Sequence, residues 1–139
     1  RSSSTGGRTN RLGSGLGSAE YYETANKETL IITMVETPEA VQNAGAIAAV
    51  EGIDGILVGS SDLTQAMGMP SSEVIDKAID NVIADVRAQG KVVGVAGAGM
   101  TVNNMSRYKK FADQGVQLLS ANVQEFIRQS GGEFLKGMV

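Results

Sequence analysis

The chain has 139 residues, of which 42 % are apolar and 19 % charged, with a formal net charge of −3. That is enough apolar material for one globular core, and too little positive charge for nucleic acid to be the main partner. Cysteine and histidine are both absent, which excludes disulfides, thiolate zinc sites and any histidine base from this chain and leaves oxygen ligands for a metal.

No apolar run approaches the 18 or so residues of a membrane span, so no membrane partner is expected. The opening "RSSSTGGRTN" is polar throughout and does not read as a secretory leader, which makes the cytoplasm the expected location. It begins at Arg1 in loop-like sequence and reads as the continuation of a longer protein.

In chain order, residues 1–28 form a Gly/Ser-rich loop followed by a short helix over "AEYYETANK" (19–27). Residues 29–139 carry a regular pattern. "LIITMV" (30–35) is apolar except at Thr33, as in a strand covered on both faces. Thr37 and Pro38 then open a helix as N-cap and first helical residue. Its apolar face is Val41, Ala44, Ile47 and Ala48, and Gly52 stops it.

A second strand runs over 53–58 and a short helix over 62–67, capped by Ser61. Ser71 or Ser72 caps the clearest helix, with Ile75, Ile79, Val82, Ile83 and Val86 at the helical period and Gly90 at its end. The third strand is 91–96, the third main helix 102–114 closed by Gly115, and the fourth strand 116–120. A last helix covers about 122–129, and Gly131-Gly132 separates a short tail.

Strand and helix thus alternate four times, which means a parallel sheet with helical cover. An open doubly wound sheet and part of a (β/α)8 barrel both fit. "LIITMV" is too apolar to be a bare edge, so α/β architecture of the TIM-barrel type is expected, with this chain as half of it.

In such a barrel, active groups sit at the C-terminal ends of strands. Glu36 and Asp62 hold that position on consecutive strands. Two carboxylates there can converge on one hard divalent ion, with water and substrate oxygens completing the shell. Strand-end acids also commonly just cap the next helix. The N–H groups of Ser61 and Asp62 open the short helix and face an anion if one is present, or serve an ordinary cap.

Two glycine-rich stretches invite comparison with nucleotide loops. "GSGLG" (13–17) and "GVAGAG" (94–99) both lack the dinucleotide spacing. Gly94, Gly97 and Gly99 read instead as points of close backbone approach. Arg107, Lys109 and Lys110 beside Tyr108 read as a solvated helix face. Met34, Met67, Met69 and Met100 either line a pocket or fill the core.

The segment 34–68 resembles the HpcH/HpaI aldolase/citrate lyase family. It carries "ETPEA" (36–40), "GIDG" (52–55) and "GSSDL" (59–63) in the family's order. "AEYYETANKET" and "FADQGVQLLSA" extend the likeness over the whole chain. The resemblance implies a class II aldolase in a (β/α)8 barrel, acting on 2-keto acids such as pyruvate through an enolate. This chain would supply the last four βα units.

It further implies that Glu36 and Asp62 ligate magnesium, manganese or cobalt. Gly59, Ser60, Ser61, Asp62 and Met34 would line the substrate, with the Ser61 and Asp62 N–H groups on the pyruvate carboxylate. Ser60 stands where the family has proline, and Met34 where a glutamine is common. The family's catalytic histidine and substrate arginine come from early strands, so the acid–base group is expected outside this chain, on a missing N-terminal half-barrel segment or chain. A homo-oligomer is expected. An oxaloacetate decarboxylase-like enzyme and a non-catalytic half-barrel binding a partner or an acidic metabolite are the alternatives.

Overall fold

The computed structural model describes residues 18–97, 105–120 and 122–138. The chain divides after Ile31 into two units. The first contains helix α1 (Ser18–Glu28), on which Lys27 and Glu23 form an exposed i,i+4 ion pair of 2.6 Å.

The second unit runs β1 (Ile32–Val35), α2 (Pro38–Gln42), α3 (Ala44–Ala48), β2 (Gly55–Gly59), α4 (Ser60–Ala66), α5 (Ser72–Ala88), β3 (Val92–Ala96), α6 (Met105–Asp113), β4 (Leu118–Leu119) and α7 (Val123–Lys136). The four strands form one parallel sheet in the order β1-β2-β3-β4. Each strand pairs with the next in sequence, as consecutive strands in βα units commonly do.

The register sorts the side chains into two faces. Val35, Val58, Val95 and Leu119 lie in one row across the sheet, and Thr33, Ile56 and Val93 in another on the same face. The valines and Ile56 are buried there against the helices. The helix α5 supplies most of that cover through Ile75, Ala78, Ile79, Val82, Ile83 and Val86, all buried. From α6 come Tyr108 and Phe111, packed edge to face at 6.2 Å.

The other face carries the row Met34, Leu57, Gly94 and Leu118. Met34 is 52 % exposed and Leu118 37 %, so among the described residues this face has no cover. A side chain at Gly94 would strike Leu57 Cδ1 at 2.8 Å and the Leu118 carbonyl at 2.9 Å, which accounts for its glycine by close approach.

Polar contacts lace α5 to α6. Arg107 donates to Asp76 from Nε at 2.8 Å, Lys110 pairs with Asp80 at 2.9 Å, and Gln114 Nε2 donates to Asp80 at 2.9 Å. Partial burial pushes the Asp80 carboxyl up, but the hydrogen bonds from Lys110 and Gln114 and the Lys110 charge outweigh it and hold the pKa below the ordinary value. Gly90 and Gly115 take the left-handed conformation, with φ of 67° and 93°, just past α5 and α6.

Several local expectations need correction. The first strand starts at Ile32, where pairing with Gly55 begins, not at Leu30. The helix after it is broken at Asn43, where φ is −103° and ψ 7°; its Nδ2 and its backbone N–H both donate to the Glu39 carbonyl, at 2.8 and 3.1 Å. The short helix starts at Ser60 with Gly59 as N-cap, two residues before the expected Ser61 cap.

The fourth strand shrinks to two residues. The last helix continues through Gly131 and Gly132 to Lys136, with a Gln129–Glu133 side-chain contact of 3.5 Å spanning the glycines. Tyr108 is not on a solvated face: it is 5 % exposed, and Arg107 is half-buried over the Phe111 ring at 5.4 Å. Residues 102–104 of the expected third helix, with Gly99 and Met100, lie outside the described residues.

Candidate metal and anion site

Glu36 is the residue after β1. Because Val35 pairs with Val58, Glu36 falls beside Gly59 at the end of β2, on the same open face as Met34. The contact is close: an added Cβ at Gly59 would lie 2.5 Å from Glu36 Oε1 and 2.7 Å from its Cγ. The Glu36 carboxylate therefore rests across the end of the strand that leads into α4. Asp62 lies in the first turn of that helix and is exposed. Among the described residues neither carboxylate has a hydrogen bond or ion pair, whereas Asp76, Asp80, Asp113 and Glu125 are all paired.

The start of α4 is stapled to the end of β3. Ser60 is 2 % exposed and its hydroxyl donates to the Ala96 carbonyl at 2.8 Å. The Ser61 hydroxyl donates to the Gly97 carbonyl at 2.9 Å, and Thr64 Oγ1 donates to the Ser60 carbonyl at 2.6 Å. Leu63, fully buried, anchors the middle of the helix. Gly97, at φ 98°, passes so near that an added Cβ would sit 3.1 Å from the Ser61 nitrogen. Ser60, Ser61 and Asp62 occupy the first turn, where backbone N–H groups lack intrahelical acceptors.

A cleft of about 290 Å³ lies beside this turn, lined by Ser60, Ser61, Thr64, Met69 and Arg107. Met69 is held in a left-handed conformation (φ 59°) with its N–H on the Thr64 carbonyl at 2.9 Å. Sequence reasoning singled out Ser60 and Ser61 but not Thr64 or Arg107 as part of this wall. Thr64 sits one helical turn beyond Ser60, a spacing that could have shown it. Arg107 arrives from α6, and no local signal links it to α4. Met34 stands on the open face two residues before Glu36, and Met67 is partly buried against the core.

The donor set suits a hard ion. Glu36 just past β1 and Asp62 in the first turn of α4 are carboxylates without a protein partner among the described residues, the donor type that a hard divalent cation takes. Among the described residues no group of three or more His, Cys, Asp or Glu side chains gathers around a common point, so an all-protein cage of the zinc type has no support here.

Comparison with known proteins agrees with this architecture. The HpcH/HpaI aldolase/citrate lyase family profile matches residues 2–127. A 4-hydroxy-2-oxo-heptane-1,7-dioate aldolase of Salmonella typhimurium is 32 % identical over 119 residues, which cover 84 % of this chain and 43 % of that protein. The chain thus spans less than half the length of this relative.

Among solved structures, an HpcH/HpaI aldolase from Desulfitobacterium hafniense superposes with a TM-score of 0.73 at 22 % identity, over 88 % of this chain and 48 % of that one. The citrate synthase SbnG superposes with a TM-score of 0.68 at 24 % identity, over 86 % and 49 %. At these identities the structures speak to the fold alone, a partial barrel of the TIM type. The family profile spans most of the sequence, and by that measure the chain belongs to the HpcH/HpaI aldolase/citrate lyase family.

Proposed function

We propose that this chain is the C-terminal half of a divalent-metal-dependent aldolase that acts on 2-keto acids through a pyruvate enolate. The observation that carries the reading is the Glu36 carboxylate lying across Gly59, at the end of the strand whose next turn bears Asp62. Glu36 and Asp62 are the ligands in this reading, for magnesium, manganese or cobalt. When bound, the ion supplies positive charge beside the developing enolate oxygen.

The chain's own residues do the rest of the positioning. The N–H groups of Ser61 and Asp62 hold the substrate carboxylate, and the Ser60 and Ser61 hydroxyls fix that turn by bonding to β3. Gly59 and Met34 border the substrate on the open face. Ser60 in place of proline keeps a hydroxyl tether, and Met34 in place of glutamine makes that side of the substrate apolar. With no histidine in the sequence, proton transfer falls to a group outside the chain.

A barrel closed against β1 and β4 by an N-terminal half fits the exposed Met34 and Leu118. The relatives' name favours a 4-hydroxy-2-keto acid as the cleaved substrate, and a cytoplasmic homo-oligomer completes the reading. The test is a Mn²⁺ titration of the native protein with Glu36→Gln and Asp62→Asn, alongside pyruvate release from a 4-hydroxy-2-keto acid. Each variant is expected to bind Mn²⁺ at least about tenfold more weakly, equivalent to about 1.4 kcal/mol. Unchanged affinity in either would reject the shared site.

A further inference from the structure

We infer that Gly59 is a positioning residue for Glu36: its missing side chain is the space in which the Glu36 carboxylate rests. The inference builds on the metal reading above. The backbone at Gly59 does not call for glycine, since φ is −84° and ψ 85°, and φ of that sign is open to any residue. Local space calls for it instead. The three atoms nearest to an added Cβ are Oε1, Cγ and Cδ of Glu36, at 2.5, 2.7 and 3.0 Å.

Other glycines in the sheet differ. An added Cβ at Gly55 would strike the Val92 carbonyl at 2.7 Å, and one at Gly94 the Leu118 carbonyl at 2.9 Å. Those are collisions with strand backbone, and they concern the sheet itself. At Gly59 the collision is with a carboxylate that has no other partner among the described residues. A methyl there displaces Glu36 from the end of β2, the strand that carries Asp62 into place. On the metal reading above, Glu36 is then lost as a partner to Asp62, although both acids remain.

The experiment is a double-mutant cycle in the native protein, comparing the parent, Gly59→Ala, Glu36→Ala and the double variant. Two quantities are read: Mn²⁺ affinity by titration and the thermal midpoint without metal. With Glu36 present, Gly59→Ala is expected to weaken Mn²⁺ binding by about tenfold or more, while the metal-free midpoint changes little, because the far end of the Glu36 side chain moves at small cost. In the Glu36→Ala background the same substitution is expected to change Mn²⁺ affinity less than about twofold and to leave the midpoint nearly unchanged, because the methyl then enters vacated space.

Equal losses in both backgrounds would overturn the inference, since Gly59 would then act independently of Glu36. So would full Mn²⁺ affinity in Gly59→Ala. If Glu36→Ala alone leaves Mn²⁺ affinity intact, the metal site itself falls and takes the inference with it. The single variants therefore separate the two failures.

Discussion

Replacing Leu63 by alanine tests how α4 is held. Leu63 is fully buried, and the only other buried residue of α4 is Ser60. Truncation removes three carbons from a closed environment. At about 0.8 kcal/mol per buried methylene the transfer loss is about 2.5 kcal/mol. The sheet and α5 cannot fully collapse into the gap, because valine and isoleucine side chains on both sides are already packed. The cavity adds to the loss, and about 3–5 kcal/mol in total is expected.

Site geometry should suffer less than stability. The first turn of α4 keeps its bonds from Ser60 and Ser61 to β3, so Mn²⁺ affinity is expected to fall by less than about tenfold, under 1.4 kcal/mol. Urea unfolding of the native protein, with the denaturant slope checked for constancy, gives the first number, and Mn²⁺ titration the second. A stability loss below about 1 kcal/mol would refute the packing argument. A collapse of Mn²⁺ affinity with stability preserved would refute the claim that the hydroxyl tethers, not Leu63, fix the first turn.

Thr33 Oγ1 is buried on the helix face of β1 without a partner, so Thr33→Val, which keeps the shape, is expected to raise stability by about 1 kcal/mol in the same unfolding assay. The pKa of Asp80 is depressed in the fold, so its contribution is present above the unfolded value and lost as pH falls through the folded one. The gap in thermal midpoint between the parent and Asp80→Asn should therefore narrow below about pH 4, and a gap independent of pH would contradict the assignment. Residues 1–139 expressed alone are expected to self-associate through the open face of Met34, Leu57 and Leu118. Sedimentation showing a folded monomer with aldolase activity would reject the half-barrel reading.

The alternation of strand and helix was legible because each period was unambiguous. The α5 positions Ile75, Ile79, Val82, Ile83 and Val86 repeat at helical spacing and are all buried. Thr37 was legible as a cap for a chemical reason, and its hydroxyl does accept the Ala40 N–H at 3.2 Å.

The break at Asn43 was not legible. An asparagine is tolerated within a helix, and only the backbone at Asn43, with φ −103° and ψ 7°, shows the break. The Gly131-Gly132 pair misled for the opposite reason. Two glycines weaken a helix by about 1 kcal/mol each, yet an N-cap at Asn122 and the Glu125–Arg128 pair support it from the N-terminal side. At the site, Glu36 and Asp62 were visible as strand-end acids. The contact between Glu36 and Gly59 was not, because it depends on a cross-strand register that no local pattern encodes.

The sheet order has a consequence for how the chain folds. Among the described residues every strand pairs only with its neighbours in sequence, across separations of roughly 20 to 40 residues. Within this sheet no pairing has to wait for a distant segment, so these four strands can add one to the next as the chain emerges. The β2–β3 ladder then becomes the kinetic centre, flanked on both sides and backed by α5, while β1 and β4 each have a free side among the described residues. Native-state hydrogen exchange should find the slowest amides in Gly55–Gly59 and Val92–Ala96, with those of Leu118 and Leu119 opening first.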